Sequence, residues 1–224
     1  RNYPQRAVDF LEKENFPVRM YNDFNSGSYI IGRAFPRRMV FIDGRTEFYG
    51  DEYLKEYKKA SDGDKDAINK LENKYHLEGF ILTMSMSNFD GQLAKYLFEN
   101  HEWKPVYFDD AAIIFLKDIP KNKKDIEKYY VDLKSWTAPK AELIKIGTKI
   151  IYPYRYIKRG RALKEMGCFK AAISEAKEAL KIEPNCVDAF LLLGNCYEEL
   201  KEYSLALENY RIAVAMFPRD SGLR

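Results

Sequence analysis

The second half of this 224-residue chain repeats itself. At a spacing of 34 residues, Gly160 recurs as Gly194, Leu163 as Tyr197, Phe169 as Tyr203 and Ala172 as Ala206. Ala176 recurs as Tyr210, Ala179 as Ala213 and Pro184 as Pro218. A fixed period of this length means an array of small units, each burying one face against the next. The small residues at fixed places let helix backbones approach closely. Two units alone make a short core, since about three are needed for a continuous one. Another segment must therefore cover an end.

The pattern resembles the tetratricopeptide repeat, a helical hairpin opening with W-x2-L-G-x2-Y and closing on Ala, an aromatic, Ala and Pro. Residues 153–186 form the first copy and 187–220 the second. The second fits better, with Phe190, Leu193, Gly194 and Tyr197 in the first-helix positions. The first has Tyr156 in place of the Trp and Arg159 in place of the Leu, which predicts a different neighbour for its first helix. Residues 120–152 are expected to be connecting helices that cap the repeats. One stripe is Ile126, Tyr129, Tyr130 and Leu133. The other is Leu143, Ile144, Ile146, Ile150 and Ile151, with Pro120 and Pro139 as punctuation. The resemblance implies a protein partner on the concave face. By repeat geometry that face holds Tyr154, Ile157, Arg161 and Lys164, then Asp188, Leu191, Asn195, Glu198 and Glu199. Its mixed charge does not suit capture of a carboxylate tail.

Residues 1–119 are punctuated differently. Helical spacing covers residues 3–14, with Ala7, Val8 and Leu11 on one side. Short strands are expected at 18–21, 79–83, 104–108 and 112–116, with a further buried strand over Met39, Val40, Phe41 and Ile42. Helices fill the intervals: a short one through Tyr29 and Ile31, a long polar one over 51–76 broken near Gly63, and one over 91–100. Asp109 and Asp110 make the turn of a closing hairpin. Alternation of this kind predicts a small three-layer α/β/α domain with a mixed sheet. The whole chain is then α/β plus all-α.

Charge and composition narrow the function. The net charge is only +3, which disfavours a polyanion binder such as a nucleic-acid protein. The balance is uneven. Residues 1–120 hold 17 basic and 20 acidic groups, and residues 121–224 hold 20 and 14. The excess within 121–170 reads as a solvated helical face or as contact with an acidic partner or lipid headgroups. No run approaches the roughly 18 apolar residues of a membrane span. Cys168, Cys186 and Cys196 are odd in number and unpaired in spacing, so they read as packing residues. No phosphate-binding glycine loop, zinc-protease motif or nucleophile elbow occurs. His76 and His101 read as exposed or capping residues. No catalytic residue, metal or cofactor is therefore expected.

The densest polar cluster lies at 22–49. Asn22, Asp23, Asn25, Gly27 and Tyr29 follow one strand, and Asp43, Arg45, Glu47 and Tyr49 follow another. Ligands of open α/β sheets bind beyond such strand ends. Arg45 can fork onto a carboxylate or phosphate with Asp43 orienting it. The same residues serve equally as an internal ion pair and as turn formers. The motif N-D-x-x-x-G-x-Y-I, followed by F-P-x-R-x-V-F-I-D-G-R-x-E-x-Y, resembles the soluble C-terminal region of bacterial membrane proteins of the glycosyltransferase C superfamily. Residues 103–115 resemble it too. More distantly, the layout is similar to the soluble domain of the oligosaccharyltransferase catalytic subunit, although its paired tryptophans are absent here. The resemblance implies an extracytoplasmic, periplasmic location and membrane attachment through transmembrane helices upstream of Arg1. It also implies contact with a glycan or peptide acceptor, and catalysis by membrane loops outside this chain. The alternative is a free-standing, cytoplasmic repeat scaffold whose α/β domain is structural.

Overall fold

The computed structural model describes residues 3–16, 19–84, 89–140 and 153–216. The chain forms two compact units, residues 1–132 and 133–224.

The first unit is built on four strands: β1 (Met20–Asn22), β2 (Gly79–Thr83), β3 (Trp103–Phe108) and β4 (Ala112–Lys117), in spatial order β1-β2-β4-β3. β1 runs parallel to β2, while β4 is antiparallel to both β2 and β3. The sheet is mixed, as the sequence predicts. Side chains alternate between its faces. Met20, Ile81, Ile114 and Leu116 join one core with α1 (Gln5–Lys13), α2 (Phe24–Ala34) and α6 (Lys123–Tyr129). Tyr21, Phe80, Ile113 and Phe115 face the other way, towards α3 (Asp51–Ser61), α4 (Lys65–Tyr75) and α5 (Gly91–Glu99). On that side Tyr21 stacks on Tyr57 of α3 at 5.6 Å, and Phe80 meets Trp103 edge-on at 4.7 Å.

Local chemistry sets the boundaries. Just beyond α1 the chain turns at Asn15, whose φ of 51° is the left-handed conformation Asn tolerates. Asp64 caps α4 by accepting from Ala67 N at 2.9 Å. His76 closes α4 in the left-handed conformation and is exposed, and His101 is exposed as well. Asp109 shapes the β3–β4 turn, accepting from Ala111 N at 2.7 Å and Ala112 N at 2.9 Å.

Two expectations differ from the structure. Residues 39–42 are not a strand. Their backbone groups are taken by side chains instead: Phe41 N donates to Asn22 Oδ1 at 2.6 Å, Asn22 Nδ2 donates to Ile42 O at 2.7 Å, and the Tyr53 hydroxyl donates to Phe41 O. Met39 is 67% exposed while Ile42 is fully buried, which a strand buried on both faces would not show. In the capping region, α6 ends at Tyr129, and Ile126 and Tyr129 pack in the sheet core. Tyr130 and Leu133 follow in non-helical chain. The stripe from Leu143 to Ile151 lies outside the described residues.

The second unit contains α7 (Tyr154–Glu165), α8 (Phe169–Ile182), α9 (Val187–Glu199) and α10 (Tyr203–Ala215), packed consecutively as two hairpins. The recurrent glycines mark the closest approaches. A Cβ on Gly160 would lie 2.5 Å from Leu192 Cδ2, and one on Gly194 would lie 2.4 Å from the Tyr210 ring. All three cysteines are buried, and none of them is in a disulfide.

Candidate functional site

The cluster at 22–49 separates into two internally bonded groups. Asn22 and Asp23 are each 2% exposed. Asn22 pins residues 41–42 as described. Asp23 caps α2, accepting from Ser26 N at 2.8 Å, and also accepts from the Thr83 hydroxyl at 2.5 Å and from Thr83 N. It thereby ties the end of β1 to the end of β2. Gly27 is required by packing. A Cβ there would sit 2.0 Å from Ile42 O and 2.8 Å from Asp43 Cα, so the 42–43 backbone rests directly on α2.

The second group is Asp43, Arg45 and Tyr49. Arg45 donates to Asp43 through Nε at 2.9 Å, Nη2 at 2.8 Å and its backbone N at 2.8 Å, and the Tyr49 hydroxyl adds a bond at 3.0 Å. These bonds, led by the Arg45 guanidinium, hold the Asp43 carboxyl well below the usual carboxylate range. Asp43 is 1% exposed, so its lone pairs serve the fold. Tyr29 stacks on Tyr3 at 5.5 Å and packs on the core of α1. The polar side chains at the centre of the cluster are therefore committed to bonds within the fold, while Asn25 and Glu47 are open to solvent.

A different feature occupies the carboxyl edge of the parallel strands. An open cleft of about 480 Å³ lies between the start of α2, the end of α3 and the start of α5. Phe24, Tyr57 and Phe89 line it with Asn25, Ser61, Asp90 and Gln92. Asp90 Oδ2 is buried without a hydrogen-bond partner. Burial, with Asp23 nearby, pushes the Asp90 carboxyl up to about 6. Sequence reasoning passed over this cleft because its residues come from three separated segments and Asp90 reads as an ordinary helix-start Asp.

In the second unit, residues 133–140 lie against the first repeat. Trp136 Nε1 donates to Glu175 Oε1 at 2.8 Å, and Ala138 N donates to the Ser174 hydroxyl at 3.2 Å. Arg159 forks onto Glu175 at 2.7 and 2.8 Å and lies over the Tyr156 ring at 4.8 Å. Both members of the pair are nearly inaccessible, at 4% and 0%. The two departures of the first copy, Tyr156 and Arg159, thus serve one buried network with Trp136.

The expected partner face is partly self-bonded. Ile157 is fully buried and is removed from that face, because its side of α7 packs inward. Tyr154 is 45% exposed. Arg161 donates to Asp188 at 2.8 Å and so bridges α7 to α9. Lys164 pairs with its neighbour Glu165. The Tyr210 hydroxyl lies 2.7 Å from both Asn195 Oδ1 and Glu198 Oε2. Leu191 is half-buried, whereas Asn195, Glu198 and Glu199 are exposed. The surface charge changes sign across the pair. α7 shows Arg155, Lys158, Arg161 and Lys164, and α9 shows Asp188, Glu198 and Glu199.

Residues 154–186 and 187–220 match the tetratricopeptide repeat model. The two matched segments coincide with the α7–α8 and α9–α10 hairpins. No curated protein and no solved structure matches the chain. Repeats of this kind carry protein–protein interaction. Among the described residues no helix is long and apolar enough to cross a membrane, and no cluster of His, Cys, Asp or Glu is arranged to hold a metal.

Proposed function

We propose that the repeat pair binds an extended segment of a protein partner across the face shared by α7 and α9. The observation that carries this reading is the charge change between those helices around half-buried Leu191. A partner segment with an acidic end over Arg155, Lys158 and Lys164 and a basic end over Glu198 and Glu199 would be held in one direction. Leu191 would take an apolar side chain between the two ends. Electrostatic complementarity of this kind sets orientation and association rate more than raw affinity. The test is site-specific photo-crosslinking from position 195, with position 177 on α8 as control. A polypeptide crosslinked from 195 and absent from 177 supports the face. Equal yield from both positions refutes it.

The resemblance at residues 22–49 extends the proposal to attachment beside a membrane glycosyltransferase on the extracytoplasmic side, with the α/β unit placed against a glycan or peptide acceptor. Support for this rests on the N-D…D-G-R motif. Reading the upstream open reading frame tests it: several apolar spans there would sustain the attachment, and an initiating methionine at the start of this chain would end it.

A further inference from the structure

We propose that the cleft between α2, α3 and α5 binds a small organic molecule through a positively charged amine. The cleft lies in the first unit and owes nothing to the repeats. Its position is where open α/β sheets take ligands, beyond the carboxyl ends of adjacent parallel strands, here β1 and β2. Its volume of about 480 Å³ suits a small ligand.

The lining selects the charge. Phe24, Tyr57 and Phe89 supply aromatic surface, and such surface attracts organic cations through the negative faces of the rings. Among these rings sits Asp90, one oxygen of which has no donor in the fold. A buried carboxylate oxygen without a partner carries an uncompensated desolvation cost, which a donor cation would remove. That oxygen is turned inward, but a carboxylate rotates easily about χ2, so either oxygen can meet a donor entering from the cleft. The nearest cation on the lining, Lys58, is engaged by Asp62 of the same helix. The charge of the lining is thus one carboxylate in excess. An anion would meet Asp90 with Asp23 behind it, and a neutral molecule would leave the charge uncompensated. Ser61 already bonds the Asp90 carboxyl, and Asn25 and Gln92 remain on the lining to bond a hydroxyl or carbonyl on the ligand.

The groups facing Asp90 are Asp23 at the end of β1, Tyr21 within it, and Tyr57, Lys58, Ser61 and Asp62 on α3. Burial, with the Asp23 charge nearby, pushes the Asp90 carboxyl up to about 6. Amine binding should therefore weaken as pH falls through about 6, where Asp90 takes up a proton.

The experiment is a titration of the full chain with ethanolamine, an ammonium at pH 8, followed by amide NMR shifts of residues 24–25, 57–62 and 89–92. The control is the neutral carbon isostere 1-propanol, in which a methyl group replaces the ammonium. Saturable ethanolamine binding is expected, weaker by about tenfold or more for the isostere and for Asp90→Asn. Phe24→Ala should weaken it as well, while amide shifts in β3, β4 and α6 of the same unit stay unchanged as the control for folding. Equal binding of the isostere, retained affinity in Asp90→Asn, or no saturable binding of ethanolamine would each overturn the proposal.

Discussion

Replacing Glu175 by Gln should unlock the second unit. The change keeps the side-chain size and removes only the charge. Glu175 is fully buried and accepts three bonds, two from the Arg159 fork and one from Trp136 Nε1. Gln can still accept from Trp136, but its amide group faces the guanidinium as donor against donor. Arg159, only 3% exposed, then remains charged without an anion. Breaking a buried pair in this way costs about 3–5 kcal/mol, a large part of the stability of any small unit. Amide hydrogen exchange on the full chain separates the two units. Protection in α7 and α8 should fall by about two to four orders of magnitude, while α1–α6 are unchanged. The second repeat suggests the rescue. There Leu193 and Asn209 stand where the first has Arg159 and Glu175, and Asn209 bonds back to Leu205 O at 2.8 Å. Arg159→Leu combined with Glu175→Asn should recover most of the loss, because replacing a buried pair with packed residues is often neutral. A loss below about 1 kcal/mol in Glu175→Gln, the size of an exposed pair, would refute the reasoning.

Further outcomes follow from the first unit. Gly27→Ala forces a methyl into the Ile42 carbonyl and should cost about 1–3 kcal/mol, read as a lower urea midpoint. Asp43→Asn should destabilise by about 1 kcal/mol at pH 7, since Arg45 is largely exposed. The Asp43 carboxyl is held low, so its contribution is present above the ordinary carboxylate pKa and lost only in stronger acid. The deficit of Asp43→Asn should therefore persist to about pH 4 and shrink progressively in stronger acid. Asp90 has the opposite sign. Its carboxyl is pushed up to about 6, so ionising it costs stability as pH rises from about 4 to 6. Asp90→Asn should raise the urea midpoint at pH 8 and leave it unchanged at pH 4.

What the sequence made legible was whatever depends on local pattern. β2, β4 and the Asp109 turn follow from apolar runs and turn chemistry. The repeats follow from small residues at one spacing. The segment 39–42 has the same apolar look as β2, but Asn22 and Tyr53 capture its backbone groups from elsewhere in the chain, and no local pattern encodes that. The polar motif at 22–49 was visible, yet its carboxylates are spent on Thr83, Ser26 and Arg45 inside the fold. Arg159 at a leucine position signalled a different neighbour for its helix, and in the structure it forks onto Glu175 of the following helix with Trp136 beside it. The cleft at Asp90 stayed hidden because only folding brings residues 24, 57 and 90 to one place.

The most direct test of the repeat face is the affinity of a crosslinked partner for the full chain carrying Leu191→Glu with Asn195→Arg. Both changes fall on the proposed contact surface and neither enters the α7–α8 network. Binding should drop by about tenfold or more, with hydrogen exchange in α7–α10 unaltered. Undiminished affinity in a folded variant would contradict the placement of the partner on that face.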